Sequence, residues 1–184
     1  MRQSILTAII GLSFTTVAIA ANNVVPNLNT GTKSLRVNGS YDFNHALDYE
    51  LTLEAGYGYF FWDNIELSIV GGVQSNKLID SYQLGAVGEY NLNFGSAWVP
   101  FFQVGALWAA AEIDDDIYNS PGELDEDAFI ARFGGGVKYF FRDDIALSLA
   151  INYDWASEDL YMDDKGSVDD YNWTALLGIR FYFD

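Results

Sequence analysis

The sequence predicts an all-β protein, an eight-stranded antiparallel up-and-down β-barrel that crosses a membrane. Three observations carry that prediction. Eight segments of the 184-residue chain alternate large apolar residues with polar or small ones, the two-residue period of a strand with unlike faces. One parity of these segments carries no charge, although 19% of the chain is charged. A Lys or Arg facing lipid at the midplane costs about 2 to 4 kcal/mol, so a bilayer enforces such a purge. Beyond the first 20 residues, no apolar run approaches the roughly 18 residues of a helical span.

The first strand is expected over 34–43, with Leu35, Val37 and Tyr41 outward and Arg36 and Asp42 inward. The second, over 49–61, sets Leu51, Leu53, Tyr57 and Tyr59 against Glu50 and Glu54. The third, over 65–74, opposes Ile65, Leu67, Ile69 and Val73 to Glu66. In the fourth, over 82–94, Leu84, Ala86, Tyr90 and Leu92 alternate with Glu89. The fifth, over 98–111, turns Phe102, Val104 and Trp108 outward and Gln103 inward; the sixth, over 128–141, does the same with Phe133, Val137 and Tyr139 against Arg132 and Lys138. Ile145, Leu147, Leu149, Ile151 and Tyr153 mark the outer face of the seventh, over 145–156. The eighth, over 171–184, runs Tyr171, Trp173, Ala175, Leu177, Ile179, Phe181 and Phe183 against Asn172, Thr174, Gly178 and Arg180. Each is long enough for a tilted transmembrane strand of roughly 9 to 11 residues.

The inner parity thus collects Arg36, Glu50, Glu54, Glu66, Glu89, Arg132, Lys138 and Arg180. A soluble lipocalin-like barrel would reverse the faces, with its apolar side around a ligand. An eight-stranded lumen is only just wide enough to be filled by side chains, and an uncompensated buried ion is costly. These residues are therefore expected to form an interior ion-pair network that packs and registers the strands, with a gate or proton path as the sharper alternative.

Composition removes other classes. A formal charge of −17 argues against nucleic acid as a partner, and the absence of cysteine excludes disulfides and thiolate chemistry. Seventeen glycines against three prolines, with no long stripe of helical period, favour strands. Met1-Arg2-Gln3 begins the chain with a positive charge, an apolar stretch follows from Ile5 to Val17, and Ala18-Ile19-Ala20 has the small-x-small form of a signal-peptidase site. Residues 1–20 are expected to be a signal peptide, 21–33 an N-terminal periplasmic segment and 34–184 the barrel domain, with the chain stopping where the barrel does. Short turns at Trp62 to Asn64, Asn93 to Ala97 and Arg142 to Asp144 define the periplasmic end, where Tyr59, Phe61, Trp62, Phe94, Trp98, Tyr139, Phe141, Phe181 and Phe183 form an aromatic girdle. The turn unit YFFWDNIELS (Tyr59 to Ser68) recurs as YFFRDDIALS (Tyr139 to Ser148), identical at seven of ten positions.

With its leader, its strand count, the paired YFF-x-D turns and the ending Gly178-x-x-Phe181-x-Phe183, the chain resembles the small eight-stranded outer-membrane β-barrels, OmpX-like and OmpA-like, from about Ser34 onward. Asp184 departs from the pattern, because members of that family often end on the aromatic itself. The resemblance implies the outer membrane as location, the assembly machinery as a partner that reads Gly178, Phe181 and Phe183, and surroundings of outer-membrane lipid and lipopolysaccharide. It implies compartment more than activity.

Functional signal lies in the outward loops. Thirteen of the 26 acidic residues fall on two of them, the third (113–127) and fourth (157–170). Asp114, Asp115, Asp116, Asp125, Glu126 and Asp127 of the third are weak candidate ligands for a hard divalent cation, but no ordered Ca²⁺ loop motif is present. Their bland reading is a solvated charge run. His45, the only histidine, with Ser40 and Asp42 is the one combination from which a lipid-active triad could be built. The parity argues against it, because Ser40 and Asp42 point inward while His45 lies beyond the strand end. No catalytic residue and no cofactor is expected. The function expected is non-enzymatic, a structural or surface-interaction role through acidic extracellular loops; a narrow channel for small solutes comes second and a lipid A-modifying enzyme third.

Overall fold

The computed structural model describes residues 24–42, 50–76, 79–113, 126–158, 161–162 and 168–184. The expected signal peptide, His45 and most of the third loop lie outside the described residues. Its strands are β1 (Lys33–Asp42), β2 (Glu50–Trp62), β3 (Ile65–Asn76), β4 (Ile79–Asn91), β5 (Trp98–Ile113), β6 (Glu126–Arg142), β7 (Ile145–Ala156), the short β8 (Tyr161–Met162) and β9 (Val168–Asp169), and β10 (Tyr171–Phe183). Each long strand pairs antiparallel with its neighbour in sequence, and β10 closes on β1, giving an eight-stranded closed barrel in the order β1-β10-β7-β6-β5-β4-β3-β2.

The faces are inverted relative to a soluble barrel. Arg36 is 1% exposed, whereas Leu35 and Val37 on either side are 43% and 46% exposed. Leu67, Ile69, Phe102, Leu149, Ile151 and Leu177 likewise stand outward, and Glu54, Glu66, Glu89, Arg132, Lys138 and Arg180 are buried. An exterior that is apolar between the strand ends, around a charged interior, is stable only where lipid covers the outside.

Several boundaries differ from expectation for local reasons. β4 stops at Asn91 rather than 94, because the Asn93 side chain accepts the Gly95 N–H at 3.0 Å and Gly95 has a φ of 71°, a turn geometry open to glycine. β5 and β6 stay paired up to Ala111↔Glu126, beyond the expected limit of 128. The fourth loop carries a small hairpin of its own, β8 against β9. The repeated turn unit has a structural counterpart: the β2–β3 ladder slips between Phe60 and Trp62, and the β6–β7 ladder slips at the equivalent place between Phe140 and Arg142. Each repeat therefore encodes one bulge, which bends the strand end into its two-residue turn.

Residues 24–32 form a strap across the barrel end that carries the two-residue turns β2–β3 and β6–β7. Leu28, 1% exposed, packs among Phe60, Val99, Phe140, Ala146 and Tyr182 and makes an apolar floor. The strap is held to both bulged turns: Asn27 N–H donates to the Asp143 carbonyl at 2.9 Å and Asn64 N–H to the Leu28 carbonyl at 2.8 Å. Thr30 donates its N–H and its hydroxyl to Asp63 at 2.8 and 2.9 Å, and these bonds hold the Asp63 carboxyl below its ordinary value. Replacing Leu28 by Ala removes the centre of this floor, and a buried Leu→Ala change costs about 2 to 5 kcal/mol. The expected outcome is a lower urea midpoint for the folded barrel in lipid vesicles with an unchanged slope, read from the heat-modifiable gel shift.

Candidate functional site

The lumen is built by parity: each inward position points at the barrel axis, where side chains from all eight strands meet. Among the described residues it holds eight buried ionisable groups of opposite charge in equal number, Arg36, Arg132, Lys138 and Arg180 against Glu54, Glu66, Glu89 and Asp154. They fall into two nodes.

The lower node centres on Glu89 of β4. Its carboxylate accepts from Lys138 of β6 and, at 2.6 Å, from Arg180 of β10. Lys138 donates also to Asn91 at 2.6 Å. Phe101 lies against both cations, 5.2 Å from Lys138 Nζ and 4.9 Å from the Arg180 guanidinium, so its ring face spreads the positive charge. Glu66 accepts from Ser34 at 2.6 Å and Ser68 at 2.8 Å.

The upper node centres on Arg132 of β6. Its guanidinium grips Asp154 of β7 through two bonds of 2.8 and 2.7 Å, donates to Glu54 of β2, and reaches Gln83 at 3.2 Å. The paired fork geometry suits arginine and not lysine. Asn38 donates to Glu54 at 3.1 Å. Arg36 joins the nodes, 3.9 Å from both Glu54 and Glu89. Room for it comes from its ladder partner Gly56, where a Cβ would sit 2.7 Å from Arg36 Nε. A void of about 20 Å³ bordered by Thr52, Gln83, Arg132 and Asp154 has room for about one water.

Of the interior residues named from the sequence, Arg36, Glu54, Glu66, Glu89, Arg132, Lys138 and Arg180 all face the lumen. The Glu50 side chain lies outside the described residues, and its backbone opens β2 opposite Asp42. Asp154 was missed, although it sits on the same parity as Ser148 and Asn152 in β7, a sufficient signal. Gly178 faces inward opposite Asn38, where a Cβ would lie 2.7 Å from the Val37 carbonyl. Phe181 and Phe183 are exposed at the lower girdle, Phe183 with its ring 6.3 Å from that of Tyr57. Asp184 accepts from Asn27 at 3.2 Å and Thr32 at 3.4 Å.

Of the candidate cation ligands, Asp114, Asp115, Asp116 and Asp125 lie outside the described residues, as does the Glu126 side chain; Asp127 is exposed near the start of β6. Among the described residues no three His, Asp or Glu side chains converge on a common point. At the rim, Trp155 donates its indole N–H to Asp170 at 3.0 Å.

An even number of antiparallel strands, an apolar exterior and a lumen sealed by ion pairs define a small transmembrane β-barrel. The family described as outer membrane protein beta-barrel domain matches residues 6–181, and the chain belongs to it; its place is the outer membrane. No curated protein matches. Among solved structures, the N-terminal β-barrel domain of Pseudomonas aeruginosa OprF superposes with a TM-score of 0.61 at 18% identity, over 84% of this chain and 98% of that one. Neisserial surface protein A (NspA) is similar at a TM-score of 0.57 and 15% identity, over 83% and 95%. The attachment invasion locus protein Ail of Yersinia pestis follows at 0.51 and 13%, over 84% and 99%. At such identities the likeness is one of fold.

The lower node carries a sharp expectation. Glu89→Ala leaves Lys138 and Arg180 buried without their shared carboxylate, and breaking a buried pair in this way costs about 3 to 5 kcal/mol. The variant should unfold at distinctly lower urea than the wild type, whereas Asp127→Ala on the exposed rim should unfold with it.

Proposed function

We propose that this protein is a closed, non-enzymatic scaffold that holds acidic extracellular loops at the cell surface, in a structural or surface-interaction role. The observation that carries this reading is the sealed lumen: balanced charges occupy both nodes, and Leu28, Phe60, Phe140 and Tyr182 floor the periplasmic end. Among the described residues, the interior void beside Arg132 and Asp154 measures about 20 Å³, far below the roughly 300 Å³ of a small-molecule site. The barrel does supply a rigid wall on which loops are displayed. Two proteins of similar fold have names that speak of the surface or of attachment, Neisserial surface protein A and the attachment invasion locus protein.

Two measurements test the two halves of the proposal. Refolded protein in planar bilayers should give no discrete conductance, and reproducible channel events would establish a pore instead. Immobilised lipopolysaccharide should bind the wild type and release it on chelation of divalent cations. Changing Asp114, Asp115, Asp116, Asp125 and Asp127 to Asn and Glu126 to Gln should abolish that binding; equal binding by the neutralised protein would defeat the role of the third loop.

A further inference from the structure

Side chains fill this lumen, but filling is not sealing. Among the described residues, Thr52 Oγ1 at the upper void, Arg36 Nε between the nodes and Arg180 Nε beside Glu89 are buried without a hydrogen-bond partner. So are Gln103 Oε1, Asn152 Nδ2 and Glu66 Oε2. These atoms are spread from the upper void down to the lower node. Buried polar groups with unused bonding capacity take up water wherever a water-sized gap opens, so both nodes are hydratable layers. Ion pairs hold the wall together there; they do not make it dry.

One layer differs. At the end that carries the two-residue turns, Phe60, Val99, Phe140, Ala146 and Tyr182, from five strands, pack with Leu28. Of these six side chains only that of Tyr182 carries a polar atom. The Tyr182 ring lies 6.1 Å from that of Phe60 and 5.2 Å from that of Phe140, and Leu28 among them is 1% exposed. No strand supplies that leucine. The chain brings it there by leaving the line of β1: Gly31 has a φ of 96°, a conformation open to glycine, and the strap turns at that point across the barrel mouth. It is pinned to the wall it closes, with Gly31 N–H donating to the Phe60 carbonyl and Phe60 N–H to the Thr32 carbonyl, both at 2.9 Å.

We infer that residues 24–32 are the permeability seal of the barrel, a dry plug that stops the protons and small ions which the charged nodes alone would pass. An apolar constriction expels water and so blocks ions without being mechanically shut. Such a layer depends on its chemistry, because one added hydroxyl or amide gives water a foothold. The seal rests on the closed-scaffold reading and adds to it which element does the closing. It also gives the segment ahead of β1 a task that no strand ladder asks of it.

Proton flux into lipid vesicles that carry the refolded protein and an enclosed pH-sensitive dye tests the seal, with heat-modifiable migration as the check that each variant is folded. After a pH jump, vesicles with the wild type should respond no faster than protein-free vesicles. Leu28→Ser should speed the response roughly tenfold, since a dewetted layer is lost as a whole once water enters it, whereas Leu28→Met should stay tight. Val99→Thr, which keeps the shape of the side chain and adds one hydroxyl to the same layer, is a second route that leaves the strap untouched. The paired change Arg132→Gln with Asp154→Asn removes one cation and one carboxylate from the upper node and should leave the vesicles tight. Tight vesicles with both Leu28→Ser and Val99→Thr overturn the seal, as does a leak of equal size from Leu28→Met or from the node variant. A leaking wild type defeats the closed scaffold itself, and the seal with it.

Discussion

Everything in this barrel follows from the placement of its charges. The bilayer forbids ions on the outer face of a spanning strand, so each ionised residue within the span is driven to the inner face. An eight-stranded lumen then has no water-filled channel in which those ions stay solvated. Among the described residues the surviving arrangement is mutual cancellation, four cations against four carboxylates, with Arg36 between two clusters that each compensate most of their own charge. Charge balance is therefore a condition of existence for the fold, and the strand register is what meets it: Glu54 and Arg132, on strands far apart in sequence, meet only if every ladder between them keeps its pairing.

Much of this was legible in the sequence, and the reason is arithmetic. A period of two residues assigns every position to one of two faces, so the lumen residues can be read from Arg36 to Arg180 without coordinates. Which of them pair is not legible. The sequence of β6 places Arg132 inward, but nothing local says that it takes Asp154 next door and Glu54 across the lumen rather than Glu66. Those choices depend on barrel stagger and on side-chain length. The strap escaped for a different reason: residues 24–32 show no periodicity, and only the arrival of Leu28 beneath Phe60 and Phe140 gives the segment its conformation.

The repeated YFF-x-D segment is better explained by geometry than by ancestry alone. Both copies place a bulge one residue before the turn, both place a large aromatic on the girdle, Phe61 and Phe141, and both turn an inward phenylalanine, Phe60 and Phe140, into the floor. The copies part at the turn itself. Asn64 adopts a φ of 66°, a region that asparagine tolerates better than most residues, and its N–H anchors the strap.

The strap also changes what kind of object the polypeptide is. The seam between β1 and β10 is the shortest of the barrel, with seven paired positions against ten between β1 and β2 and eleven between β7 and β10. It is also the one that must wait for the end of the chain. Asn27 reaches across that seam to Asp184, 157 residues away in sequence, and Thr32 reaches the same carboxylate. Asp184 thus ties the strap to the strand that closes the barrel. Topologically the folded chain is a ring with a clasp, and closing so long a loop carries an entropic cost that grows only logarithmically with its length. The clasp acts where that cost is settled, beside the seven paired positions of the seam itself.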